Sequence, residues 1–395
     1  MFNLFKNKKE VYLDNAATTP VDPRVIKVMT PYFNKKFGNS ASVHTRGREA
    51  RLALEEARET VAKSLGAQSS EIIFTSSATE SNNTALKGIA WSYESKGKHI
   101  LISPIEHSCV MNSAEWLQSQ GFEVEKLSVD KNGFIDPQEV ETKIRPETIL
   151  VSVMHANNEM GACQPIKEIG AICKEKEVLF HSDAVQSFGK KPLKVNELNV
   201  DLLSISAHKI YGPKGVGALF IRDGVKITPL LHGGGHENNK RSATVNVAGI
   251  VGLAKATELC LEETPDEAVR QRKLSKKLRK GVLKNISGAH LNGPEKKRLC
   301  NNTNISFDDV EGEAIVMMLD DYNIYVSSGS ACSAEDLKPS EIITAMGYSA
   351  SRAHGSVRFT VGRFTKEKDI DYVLEVLPKV INKLRKISPN KRSCF

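Results

Sequence analysis

Short runs rich in Ile, Val, Leu and Phe recur through the first two-thirds of the chain, separated by amphipathic stretches. They predict strands at 72–74, 100–102, 124–127, 149–153, 178–181, 202–205 and 218–221. Apolar runs of that length with little polar alternation suit a sheet covered on both faces. The segments between them, such as 50–64 and 166–174, carry apolar residues at helical spacing. Strand–helix alternation of this kind predicts an α/β fold with a mainly parallel sheet.

Near Leu261 the pattern changes. A helix over 247–261 is expected to end at Glu262-Glu263, and Thr264-Pro265-Asp266-Glu267 reads as the start of another. Thr264 and Glu267 have capping-box spacing, and Pro265 would take the first helical position. Leu274, Leu278, Val282 and Ile286 then form an apolar stripe, and 357–361 reads as a strand. These features predict a large domain over 16–262 and a smaller α+β domain built from 1–15 and 263–395.

Composition narrows the class. A chain of 395 residues is too long for one ordinary core. Its 40% hydrophobic and 26% charged content describes a folded soluble protein. The net charge of +8 is modest for this length, and the densest basic run, 270–284, contains no aromatic residue. That run reads as the solvated side of a helix rather than a nucleic-acid stripe. No stretch reaches the roughly 20 apolar residues of a membrane span. The first nine residues lack the apolar core of a secretory signal, so a cytoplasmic protein is expected. Seven scattered cysteines without a C-x-x-C pair fit a reducing compartment, with no structural metal and most thiols buried as small hydrophobes.

Several polar groups follow the apolar runs where an α/β sheet presents its ligand-binding edge. Ser206-Ala207-His208-Lys209 closes one run, and Lys209 is either a surface lysine or an amine placed for chemistry. Asp183 ends another, where it can cap the next turn or serve as an anion. Glu106-His107 and Asn157-Asn158-Glu159 follow two more. Ser77-Ala78-Thr79 lies between a strand and a helix start, a position suited to phosphate. Arg358 occupies the face of its strand opposite Val357, Phe359 and Val361, free to grip a carboxylate. Ser327-Ser328-Gly329-Ser330-Ala331-Cys332 is small and polar, so Cys332 is expected on an exposed, movable loop.

In order and spacing, these segments resemble the pyridoxal-phosphate enzymes of the aspartate-aminotransferase fold. The Cys332 segment narrows the likeness to cysteine desulfurases of the NifS/IscS type; the Arg-x-Gly-His-His-Cys pattern of the SufS/selenocysteine-lyase branch is missing. The resemblance runs from Tyr12-Leu13-Asp14-Asn15-Ala16-Ala17-Thr18-Thr19 to Gly362-Arg363-Phe364-Thr365. It implies a seven-stranded, mainly parallel sheet and pyridoxal 5'-phosphate as cofactor. Lys209 would carry the Schiff base and Asp183 would pair with the ring nitrogen. Gln186 would bond the phenolic oxygen, and His107 would stack on the ring and shuttle protons. Ala78, Thr79, Ser206 and His208 would hold the phosphate with Thr244 of a partner subunit, which requires a homodimer. Asn158 would hold cofactor or substrate, and Arg358 the carboxylate of L-cysteine. Cys332 would receive the sulfur as a persulfide, with L-alanine released, and pass it to an Fe–S scaffold or a tRNA-thiolation acceptor; it could also ligate a cluster transiently. No direct nucleic-acid contact and no membrane contact are implied. Ser77 and Ala243 stand where the family has Gly, and Val185 where it has a smaller residue. Two other functions stay open here: another enzyme of this fold, such as a selenocysteine lyase or aminotransferase, and a weakly active sulfur-transfer scaffold.

Overall fold

The computed structural model describes residues 9–328 and 339–387. Cys332, on which the sulfur-acceptor expectation falls, lies outside them, as does Cys394. Among the described residues, β1 (Val11–Tyr12) is followed by the strands of the large sheet. These are β2 (Ile72–Thr75), β3 (His99–Ile102), β4 (Glu123–Lys126), β5 (Thr148–Ser152), β6 (Leu179–Asp183), β7 (Leu202–Ser206) and β8 (Gly217–Ile221). All seven overlap the runs expected from the sequence. Their order across the sheet is β2-β8-β7-β6-β5-β3-β4. β8 runs antiparallel to β2 and β7, and the remaining pairs are parallel.

Alternation of side chains builds two apolar layers. Leu101, Val151, Phe180 and Leu203 face one core with the helix Thr45–Leu65. Ile100, Ile102, Leu150 and Leu202 face another with the helix Ala78–Tyr93. β4, whose Glu123 and Lys126 are exposed, forms the edge. Helices on both faces leave the strand ends as the place where polar groups can gather. No helix among the described residues is long and apolar enough to cross a membrane.

A smaller sheet is formed by β9 (Ala289–Leu291), β10 (Asn302–Phe307), β12 (Ser327–Ser328) and β13 (Ser356–Thr360), in the order β12-β13-β10-β9. β11 (Ile324–Tyr325) pairs with β1, so Val11 and Leu13 pack in the same core as Val357 and Phe359.

The expected helix break at Thr264 does not occur. One helix runs from Val247 to Asn285 with Pro265 inside it. Its first half, including Leu253 and Leu259, packs on the large sheet's core; Leu274, Leu278 and Val282 pack on the second core. Burial at both ends outweighs the single backbone bond that proline removes, and exposed Leu261, whose carbonyl loses that bond, is open to water. The capping box does not form either. The Thr264 hydroxyl donates to Gly189 O at 2.7 Å, while Glu267 pairs with Arg270. The boundary expected at 262/263 thus falls inside a helix that reaches both cores.

Candidate active site

Lys209 ends the short turn Ala207–Lys209 directly after β7. Buried Ala207 and Ile210 bracket it, so the lysine is delivered from a fixed backbone. Its Nζ donates to Ala16 O and Ala17 O, both at 2.6 Å. The same N-terminal segment collects other groups: Gln186 Nε2 donates to Ala16 O at 2.9 Å, and His208 Nδ1 lies 3.1 Å from Thr18 Oγ1. Burial, then Lys209, Lys214 and Lys190, push the His208 imidazole down to about 4, so it is a neutral hydrogen-bonding group at pH 7.

Asp183 closes β6 and is buried. Asn82 Nδ2 donates to its Oδ2 at 2.7 Å, and the Val185 N–H donates to its Oδ1 at 2.9 Å. The carboxylate therefore both caps its own turn and is held by a side chain from a helix.

That helix, Ala78–Tyr93, begins at Ser77, whose hydroxyl caps it by accepting from Glu80 N–H at 3.2 Å. Serine in place of glycine thus fills one N-terminal donor and leaves the N–H groups of Ala78 and Thr79 without an intrahelical acceptor. Asn82 stands one turn further along. A single rigid element therefore offers anion-binding donors at its tip and holds Asp183 from one turn further along. Gly217 of β8 lets this turn sit close, since a Cβ there would lie 3.0 Å from the Ser77 carbonyl carbon.

His107 caps the helix Ser108–Ser119, with Nδ1 accepting the Cys109 N–H at 3.2 Å. An N–H can only donate, so the neutral ring carries its proton on Nε2. Cys109 Sγ lies 3.1 Å from the same Nδ1 and 3.2 Å from Asn82 Nδ2. This half-buried thiol belongs to the site, unlike the buried Cys163, Cys173, Cys260 and Cys300. The cysteine count alone did not distinguish it.

Arg358 on β13 is not free, as its strand face had suggested. It is buried, its Nη2 pairs with Asp14 Oδ1 at 2.9 Å, and its Nη1 donates to Asn158 O at 3.1 Å. Among the described residues those bonds leave Nε buried without a partner, and Asn158 Oδ1 is in the same condition. An unsatisfied guanidinium donor beside an unsatisfied amide oxygen is the complement of a ligand bearing both carboxylate and ammonium. Ser206 is buried at the end of β7, and Thr244 is exposed on a loop lining a surface pocket with Ser76, Gly215 and Arg241.

Sequence reasoning gave no role to Asp14–Thr19, Asn82 or Glu106. The available signal was a polar or small residue directly following an apolar strand, the pattern used for Asp183. Glu106 Oε1 accepts the Met154 N–H, while its buried Oε2 has no partner among the described residues. Burial, reinforced by the Asp183 charge, raises its carboxyl well above the usual range. The fold therefore favours the protonated acid over the carboxylate. A raised acid loses native-state stability as pH climbs above its unfolded value. Glu106→Gln, neutral and isosteric, is expected to fold and to gain on the parent as pH rises from 5 to 8, by up to about 1.4 kcal/mol per unit. Denaturant unfolding at both pH values measures this; an unchanged difference would show Glu106 to be ionised.

The donors fit pyridoxal phosphate. Two free N–H groups at a helix tip suit a dianionic phosphate, a buried and doubly held carboxylate suits a protonated ring nitrogen, and a lysine stands at the neighbouring strand end. The aminotransferase class-V family model matches residues 11–373. A "Cysteine desulfurase IscS" from Dictyoglomus turgidum is 53% identical over 385 residues, covering 98% of each chain. One from Methanosarcina thermophila is 49% identical over 98% of this chain and 96% of its own. Among solved structures, a "NifS-like protein" superposes with a TM-score of 0.90 at 41% identity, covering 95% of this chain and all of its own. "SspA in complex with cysteine" does so with a TM-score of 0.80 at 36% identity, over 91% of this chain and all of its own.

Proposed function

We propose that this chain, a member of the aminotransferase class-V family, is a pyridoxal-phosphate-dependent cysteine desulfurase that transfers the sulfur of L-cysteine to Cys332. The observation that carries this reading is Asp183, a buried carboxylate clamped by Asn82 and the Val185 N–H one strand away from Lys209. The relatives named as cysteine desulfurases and the neighbour bound to cysteine supply the substrate.

When bound, the cofactor would supply an electrophilic aldehyde and a ring that accepts electron density from the substrate. Lys209 would bind the aldehyde and then exchange the proton at substrate Cα. Asp183 would keep the ring nitrogen protonated. Ala78 and Thr79 N–H, with Ser206, His208 and the partner subunit's Thr244, would hold the phosphate, and Gln186 would bond the phenolic oxygen. His107 would contact the ring and offer Nε2–H, a proton available to substrate or product. Arg358 and Asn158 would bind the amino acid's carboxylate and amine. The net change is balanced: the substrate C–S bond breaks, an S–S bond forms on Cys332, and the thiol protons end on L-alanine and the persulfide. A homodimer in the cytoplasm would then pass this sulfur to an Fe–S scaffold or a tRNA-thiolation enzyme.

Incubating the cofactor-loaded protein with L-cysteine should yield alanine and a persulfide mapped to the Cys332 peptide. Cys332→Ala should retain its yellow cofactor yet lose persulfide and slow sulfide release by about 10²-fold or more. Undiminished sulfide release from that variant would remove Cys332 from the reaction.

A further inference from the structure

The motif Asn157-Asn158-Glu159 contributes Asn158 to the site, yet its buried titratable member has no part in the chemistry above. Glu159 is 7% exposed. Its backbone N–H donates to Asn157 Oδ1 at 2.8 Å, and its carbonyl accepts Asn302 Nδ2 at 2.9 Å and Asn304 Nδ2 at 3.3 Å. Both asparagines lie on β10, and Asn304 is the register partner of Arg358 on β13. The Glu159 backbone thus joins the loop bearing Asn158 to the small sheet bearing Arg358. Its side chain points to a different element. Ser340 Oγ lies 2.6 Å from Glu159 Oε2. The same Ser340 oxygen accepts the Ile343 N–H at 3.2 Å, capping the turn Glu341–Ala345. The hydroxyl thus donates to Glu159 while accepting from the helix turn. In sequence Ser340 stands eight residues after Cys332.

We propose that Glu159 is a positioning residue for sulfur transfer: its carboxylate anchors Ser340, the chain's return from the Cys332 segment, to the loop that presents Asn158 to the substrate. This deepens the desulfurase reading and rests on it. A carboxylate accepts a hydroxyl more strongly than a neutral acid does, so the anchor is strongest when Glu159 is ionised. Burial pushes its carboxyl up to about 7; Ser340, Arg358 and His107 act against that shift, and Glu341 adds to it. Among the described residues, these four are the groups that act on its charge. The anchor therefore tightens as pH rises through the neutral range.

The test compares the unaltered holoenzyme with Glu159→Gln, which keeps an acceptor for Ser340 but cannot ionise. Rapid quenching after L-cysteine addition and mass spectrometry give the rate of persulfide formation on Cys332 from pH 6 to 8.5. The cofactor absorbance change on cysteine binding gives the step before it. The parent should exceed the variant by about fivefold at pH 8.5 and match it at pH 6, with cysteine binding alike throughout. Ser340→Ala should show the same loss at high pH, and Ser340→Thr should restore the rate. A parent-to-variant ratio that does not change with pH, or a Ser340→Ala variant as fast as the parent, overturns the proposal. A general packing defect would depress cysteine binding as well, and that outcome also overturns it. If the parent forms no persulfide on Cys332, the reading beneath it fails first and takes this proposal with it.

Discussion

Replacing Lys209 by alanine is expected to give a folded protein that no longer makes alanine from L-cysteine. The backbone at this point is set by Ala207 and Ile210, both fully buried, and the lysine side chain is only partly buried. Losing it removes the bonds to Ala16 O and Ala17 O without opening a core cavity. The chemical loss is far larger. In the proposed reaction one amine would both bind the aldehyde and move the Cα proton, and proton transfer by itself contributes about 10²–10⁴-fold. A fall of ~10³-fold or more in alanine formation is expected, with partial recovery on adding a small primary amine. Borohydride reduction of the parent should fix the cofactor to the Lys209 peptide. A label on any other lysine would overturn the assignment of the site.

Asp183→Asn should be nearly as damaging, for an electrostatic reason. The asparagine oxygen can still accept the Val185 N–H, but its amide group would face the Asn82 amide, setting donor against donor. Charge is lost as well, and under the proposed reading nothing would then hold a proton on the ring nitrogen. A loss of ~10²-fold or more in kcat is expected while phosphate contacts retain the cofactor. Glu106 should respond too: without the Asp183 charge beside it, its carboxyl falls toward the ordinary range. Activity within a few-fold of the parent would mean that the ring nitrogen's partner lies elsewhere.

The legible and illegible parts of this chain divide by range of interaction. Strands β2 to β8 were readable because a run such as Leu202-Leu203-Ser204-Ile205 is buried on both faces and announces itself locally. β10 was not, because Asn302, Thr303 and Asn304 read as loop residues. Their burial is satisfied by the ladder with β13 and by long-range bonds, with Glu159 O accepting Asn302 and Asn304 and Asn292 Nδ2 donating to Asn304 Oδ1. Pro265 misled for the complementary reason. Its local rule is sound, but two cores at either end of one helix override it. Arg358 was placed on the correct face of its strand, yet its partner Asp14 is 344 residues away in sequence.

From the sequence alone came the alternation of strands and helices, the apolar seams, and the polar residues Lys209, Asp183 and His107 at strand ends. These follow from neighbour-to-neighbour periodicity and from the rule that a buried run must end where polar side chains meet water. The tertiary structure added the carbonyls of Ala16 and Ala17 beneath Lys209, Asn82 behind Asp183, the thiol of Cys109 against His107, and Ser340 on Glu159. Each joins groups distant in sequence or brought together by solvent exclusion and hydrogen-bond satisfaction, and such demands exist only once the sheets have closed around them.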